Sequence, residues 1–94
     1  MSILEYIETY DCIKNPEPCD LIRAIKSMWK YADVGYFKYD KNTRILELHT
    51  AGWSDNEEII SSLEKNRFFW SLYWQKSERG GHYYFYILHL EKTK

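Results

Sequence analysis

Few side chains in this sequence have the chemistry for catalysis or ligand capture, and their spacing limits what they can do. Its three histidines are His49, His82 and His89. Imidazole is the side chain best suited to moving protons near neutral pH. Glu47 and His49 alternate along one segment and so share a strand face. His82 has Glu78 nearby in sequence and Glu57 further off. Each combination could form an acid–base pair, but none comes with a nucleophile and an orienting base, or with a metal cage. No catalytic residue is therefore assigned, and an enzyme ranks below a binding protein. Cys12 and Cys19 flank "IKNPEP". They read as free thiols in a reducing compartment, with a disulfide clip across the loop as the alternative. The histidines lack zinc-ligand spacing, so neither a metal nor a cofactor is expected.

Two short stretches suggest recognition instead. In "ERGGHYY", Arg79 and His82 flank Gly80-Gly81, and both could meet a carboxylate, a phosphate or a base. In "HTAGWSDNEEII", Gly52-Trp53 precedes Ser54-Asp55-Asn56-Glu57. This S-x-x-E pattern before an apolar run predicts a capping box between Ser54 and Glu57. Asp55, Glu57 and Glu58 place negative charge where a helix dipole favours it, which argues against a phosphate at that helix end. Trp53 lies just before the cap, where an apolar residue often packs on the fourth helical position. That position is Glu58, so the usual partner is missing. Trp53 either folds over Ile59 or the sheet edge, or stands partly exposed as a recognition residue.

Ninety-four residues suggest one domain with one core. Nine Tyr, four Trp and four Phe are more rings than a small core readily absorbs. Nine of these seventeen lie between Phe68 and Tyr86. The net charge of −1 gives no general attraction to nucleic acid or anionic lipid. Basic and aromatic residues interleave in "RFFWSLYWQK", but without an RNP-type motif, so nucleic acid is not the expected partner. The opening "MSILEYIETYD" is too acidic, and lacks the apolar length, for a secretion signal. No run is long enough to span a membrane, so the expected location is cytoplasmic.

The elements that must position these residues follow from periodicity. Ile3, Tyr6, Ile7 and Tyr10 mark one helical face over 2–11. Pro16 and Pro18 interrupt the chain. A second helix from about Pro18 to Lys30 carries Leu21, Ile22, Ile25, Met28 and Trp29. From Val34 the period becomes two. A hairpin centred on Lys41-Asn42 pairs Phe37 with Leu46 and Gly35 with Leu48 on an apolar face. The other face places Tyr36 opposite Glu47, Lys38 opposite Ile45 and Val34 opposite His49. A third helix covers 54–65 and stops at Asn66.

A second hairpin turns at Gly80-Gly81, with residues 67–76 read as strand in preference to helix because of their alternation and aromatic content. With a two-residue turn, Trp74 faces Ile87, Leu72 faces His89 and Lys76 faces Phe85. Trp70, Leu72, Trp74, Phe85 and Ile87 then share one side. Phe69, Ser71, Tyr73, Gln75, Tyr84, Tyr86, Leu88 and Leu90 share the other. A three-residue turn would exchange the side of one strand. The order ααββαββ makes an α+β fold: a two-layer sandwich of a four-stranded antiparallel sheet with helices on one face. Residues 1–94 form a single domain, with two helices in 1–30 and hairpin–helix–hairpin in 33–91.

Gly52, Trp53, Ser54, Asn56 and Glu57, followed by Arg79, Gly80, Gly81 and His82, form a combined pattern over about residues 36–86. It resembles small uncharacterised proteins encoded by phages, prophages and bacteria. The resemblance carries no activity and no catalytic residue. It implies a mobile-element protein of the kind that binds and blocks something. The expected function is a non-catalytic binding module, an inhibitor or antagonist that engages a protein partner. Trp53, Arg79, His82 and a face made of Tyr73, Tyr84 and Tyr86 would make the contact. The alternative partner is a small nucleotide signal, its base on Trp53 and its phosphate on Arg79, in a pocket completed by a homo-oligomer.

Overall fold

The computed structural model describes residues 2–15, 18–32 and 35–87. Its elements are α1 (Ile3–Thr9), α2 (Cys19–Met28), β1 (Phe37–Asp40), β2 (Ile45–His49), α3 (Ser54–Lys65), α4 (Arg67–Tyr73), β3 (Trp74–Glu78) and β4 (His82–Tyr86). The four strands form one antiparallel sheet in the order β1-β2-β4-β3, and the helices pack on one of its faces. The expected α+β order holds, with two consecutive helices in the third helical place.

The helices bury the stripes that their periodicity marks. Ile7 from α1, Leu21 and Ile25 from α2, and Ile59 and Leu63 from α3 meet Leu46, Leu48 and Phe85 of the sheet, all almost fully buried. Each such aliphatic or aromatic side chain stabilises the fold by about 1.5–3 kcal/mol when buried. A capping box does exist, but at Ser2 and Glu5, where Glu5 N–H donates to Ser2 Oγ and Ser2 N–H to Glu5 Oε1.

The box expected at Ser54 and Glu57 does not form. The 50–53 turn closes with Trp53 N–H on the Thr50 carbonyl (2.9 Å). It runs straight into α3, whose first bond is Glu57 N–H to the Trp53 carbonyl (3.0 Å). Trp53 is therefore the N-cap, no side chain caps the helix, and Ser54 is already its first residue.

The segment after α3 departs furthest from expectation. Residues 67–73 are helix, not strand. Asn66 ends α3 and caps α4: its Oδ1 accepts from Phe69 N–H (3.1 Å). Its amide also donates to the carbonyls of Ile7 (2.9 Å) and Tyr10 (3.0 Å), which ties the end of α1 to the junction. Phe69 and Tyr73, one turn apart, enter the core and meet edge to face (5.0 Å). Tyr73 is thus 1% exposed in the core and does not join Tyr84 and Tyr86 on a sheet face.

Both hairpin turns are longer than expected. The β1–β2 turn has four residues, so Phe37 pairs with Leu48 and Tyr39 with Leu46. Because the slip is two residues, every side chain keeps its expected face. The β3–β4 turn has three residues, Arg79–Gly81, with Lys76 opposite Tyr84, Ser77 opposite Tyr83 and Glu78 opposite His82. An odd turn exchanges the faces of one strand, so Lys76 leaves the core side. A register shift at Gln75 then returns Trp74 to Phe85, not to Ile87. The expected placements of Val34, Leu88, His89 and Leu90 lie outside the described residues.

Candidate functional site

The sheet face turned away from the helices carries the polar and aromatic side chains. Directly opposed residues of an antiparallel pair share a face. The register therefore makes three rows across the sheet. Asp40, Ile45 and Tyr86 form the first, and Lys38, Glu47, Tyr84 and Lys76 the second. His49, His82 and Glu78 form the third. Tyr36 extends the third row, its carbonyl accepting from His49 N–H (2.9 Å).

These side chains hold one another. His49 Nε2 lies 3.3 Å from Glu47 Oε1, and His49 Nδ1 lies 2.7 Å from His82 Nδ1. The Tyr84 ring meets His49 edge-on at 5.9 Å. Lys76 Nζ sits 4.8 Å above the Tyr84 ring and pairs with Glu78 (3.2 Å), and the Tyr84 hydroxyl donates to Glu78 (3.4 Å). Partial desolvation pushes the Tyr84 phenol up, as do the carboxylates of Glu78 and Glu47, while Lys76 opposes them. The phenol therefore keeps its proton and remains a hydrogen-bond donor. A carboxylate, two imidazoles and a phenol thus form a continuous, pre-organised polar surface.

At the end of the third row stands an exposed aromatic corner. The Trp53 ring packs on Tyr31 (5.3 Å between centroids), and Tyr31 meets Tyr36 edge-on (6.2 Å). Trp53 remains 42% exposed and Tyr31 51%. The indole is covered on one side by Tyr31. Tyr31 adopts a left-handed backbone (φ 61°), which costs a non-glycine residue about 1–2 kcal/mol. Neighbouring hydrogen bonds hold it there. Asn56, fully buried, accepts Lys30 N–H (2.9 Å) and donates to the carbonyls of Lys30 and Thr50 (both 3.4 Å). Trp29 Nε1–H donates to the His49 carbonyl (3.3 Å). Asn56 thereby joins the end of α2, the 50–53 turn and the start of α3.

The segments around Gly52-Trp53 and Gly80-Gly81 meet at this corner. Thr50 N–H donates to the Gly81 carbonyl (2.9 Å), one residue beyond the His49–His82 pair. Gly81 has φ 82°, and a Cβ there would collide with the Thr50 side chain, so only glycine lets the two turns touch. Arg79 is exposed on the same turn and forms no ion pair among the described residues.

Of the residues expected to act, Trp53, Arg79, His82, Tyr84 and Tyr86 thus lie on the corner or the uncovered face, and Tyr73 does not. Tyr31, Tyr36, His49 with Glu47, and Lys76 join the surface without having been singled out for it. Tyr31 gives no periodic signal, since it follows a helix end, and Tyr36 keeps its expected hairpin face but lies beside His49, not Glu47. His49 and Lys76 join it only once the β4 register is known. Neither of two clefts elsewhere on the surface, one beside α2 and one between α1 and α4, is lined by Trp53 or Arg79.

Cys12 is buried and Cys19 exposed, and both are free thiols. Among the described residues, no group of three or more His, Cys, Asp and Glu could hold a metal ion, and no helix is long and apolar enough to cross a membrane. No family model, curated protein or solved structure matches the chain.

Proposed function

We propose that the protein is a non-catalytic binding module that recognises a protein partner through its uncovered sheet face and the adjoining aromatic corner. The observation that carries this reading is the run of rings Trp53–Tyr31–Tyr36–His49–His82–Tyr84–Tyr86, in contact or in register and left uncovered by the helices. Tyr and Trp dominate the energetic centres of protein interfaces because they bury much area with few rotatable bonds. Here the sheet holds Tyr84 and Tyr86, and Asn56 fixes the corner, so little ordering cost remains on binding. Arg79, which forms no ion pair among the described residues, adds a guanidinium at the edge for a partner carboxylate.

The resemblance to mobile-element proteins suggests that the module is an inhibitor or antagonist that occupies its partner's surface. Photo-crosslinking tests the proposal. A photoreactive residue at position 53 or 86 should give one discrete adduct in the native cells, and the same residue at position 68, on α4, should give none of it. Identical adducts from all three positions, or none from 53 and 86, would remove the reading.

A further inference from the structure

A second organised surface lies on the other side of the sheet, beside α2. Cys19, Ile22, Arg23 and Lys26 follow the i, i+3, i+4, i+7 spacing and so form one helix stripe. With Phe37, Tyr39 and Lys41 they line a cleft of about 520 Å³. That volume is within the range of small-molecule sites, roughly 300–1,000 Å³. Phe37 and Tyr39 belong to the core side of β1, as their pairing with Leu48 and Leu46 requires. The cleft is therefore separate from the uncovered face.

Among the described residues its lining combines an apolar floor of Ile22, Phe37 and Tyr39 with three cations, Arg23, Lys26 and Lys41, and no carboxylate. Asp20 is engaged with Arg23 (3.2 Å). The Asp40 carboxylate turns into its own turn, where it accepts from the N–H groups of Asn42 (2.8 Å) and Thr43 (3.3 Å). Lys26 and Lys41 form no ion pair among the described residues. Arg23 shares its charge with the exposed Asp20, and Lys26 and Lys41 are left to give the cleft an excess of positive charge, in a chain of net charge −1, that an anion would neutralise.

We propose that this cleft binds a small organic phosphate of nucleotide size, its phosphate held by Arg23, Lys26 and Lys41 and its flat body against Ile22, Phe37 and Tyr39. Three cations suit a dianion better than a single carboxylate, and a guanidinium matches two phosphate oxygens at once. An apolar floor beside the charges favours a ligand with a ring over the free ion. The proposal does not depend on the uncovered face, because the two surfaces share no residue.

Cys19 provides the readout. It is exposed in the cleft, whereas Cys12 is fully buried, so an aqueous thiol reagent reports Cys19. The rates of reaction with dianionic dithionitrobenzoate and with neutral dithiodipyridine are measured at low salt, with adenosine monophosphate, inorganic phosphate or adenosine added. Adenosine monophosphate should slow both reagents saturably, and more strongly than phosphate or adenosine alone. The double variant Lys26→Glu/Lys41→Glu alters two exposed side chains; it should weaken that protection about tenfold or more while leaving the far-ultraviolet circular dichroism unchanged. In the variant, the dianionic reagent should slow relative to the neutral one even without ligand. Equal protection in wild type and double variant would overturn the proposal. So would protection by phosphate as strong as by the nucleotide, or amide shifts on titration centred on Trp53 and His82 and not on Lys26 and Tyr39.

Discussion

His49 Nδ1 and His82 Nδ1 face each other at 2.7 Å across β2 and β4, so one ring donates and the other accepts. The Glu47 carboxylate decides which. It accepts from His49 Nε2, which puts the His49 proton there and leaves Nδ1 as the acceptor. His82 then donates from Nδ1. Ring nitrogen shifts in NMR should show opposite tautomers for the two neutral histidines, and Glu47→Gln should weaken the preference. Removing the donor in His82→Ala leaves a half-buried nitrogen without its partner and should cost about 1–3 kcal/mol in urea unfolding. Matching tautomers in the wild type would contradict the arrangement.

Asn56 and Ser54 should behave oppositely to what the S-x-x-E pattern suggests. Asn56→Ala strands the Lys30 N–H and the carbonyls of Lys30 and Thr50 around a buried site, so a loss of roughly 2–4 kcal/mol is expected. The Trp53 ring should also become more mobile, read as increased fluorescence quenching by acrylamide. Ser54 caps nothing, so Ser54→Ala should change stability by no more than about 0.5 kcal/mol.

Gly81→Ala should be the more damaging of the two turn substitutions. It combines a left-handed backbone with a Cβ driven into Thr50, and a loss above about 2 kcal/mol is expected. Gly80 shares the backbone requirement, but its added Cβ would meet only the edge of the His82 ring (3.2 Å), which need give by only a small shift against its bond to His49. Gly80→Ala should cost about 1–2 kcal/mol. Thermal unfolding of both variants checks the order.

Alkaline conditions should unfold the protein through Cys12 and Tyr73. Burial pushes the Cys12 thiol from 9.0 up to about 11, with Asp11 adding to it. Burial likewise pushes the Tyr73 phenol from 10.0 up to about 12, helped by Cys12 and Tyr10. Both groups hold their protons more tightly folded than unfolded. Their contribution is complete below the unfolded values and is lost as pH rises, between 9.0 and about 11 for Cys12 and between 10.0 and about 12 for Tyr73. The combined loss is of order 2–5 kcal/mol. Urea midpoints should fall across that window. Cys12→Ala should flatten the lower part of the decline and Tyr73→Phe the upper part.

The features that survived translation from sequence to structure rest on side-chain period. The α2 stripe and the apolar face of the first hairpin are local patterns, and a two-residue register error leaves faces intact. Residues 67–73 misled because aromatic content favours strand. The i, i+4 pairs Phe69–Tyr73 and Trp70–Trp74 were equally present, and the Asn66 cap decided for helix. That change moved Tyr73 into the core and with it one third of the expected tyrosine face. Trp53, Arg79 and His82 were singled out in the sequence, and the fold places them at the corner and the uncovered face. The surface joining them required the β2–β4 register, and Tyr31 required a backbone conformation that nothing in its neighbours announces.

The most direct test of partner binding is the dissociation constant of the complex formed by the adduct partner. It should be measured with Trp53→Ala, Tyr86→Ala and Phe68→Ala, three exposed aromatics on different parts of the surface. Binding through the uncovered face predicts about a tenfold or greater loss for Trp53→Ala and Tyr86→Ala, with Phe68→Ala unchanged. Loss confined to Phe68→Ala, or no loss in any of the three, would contradict it.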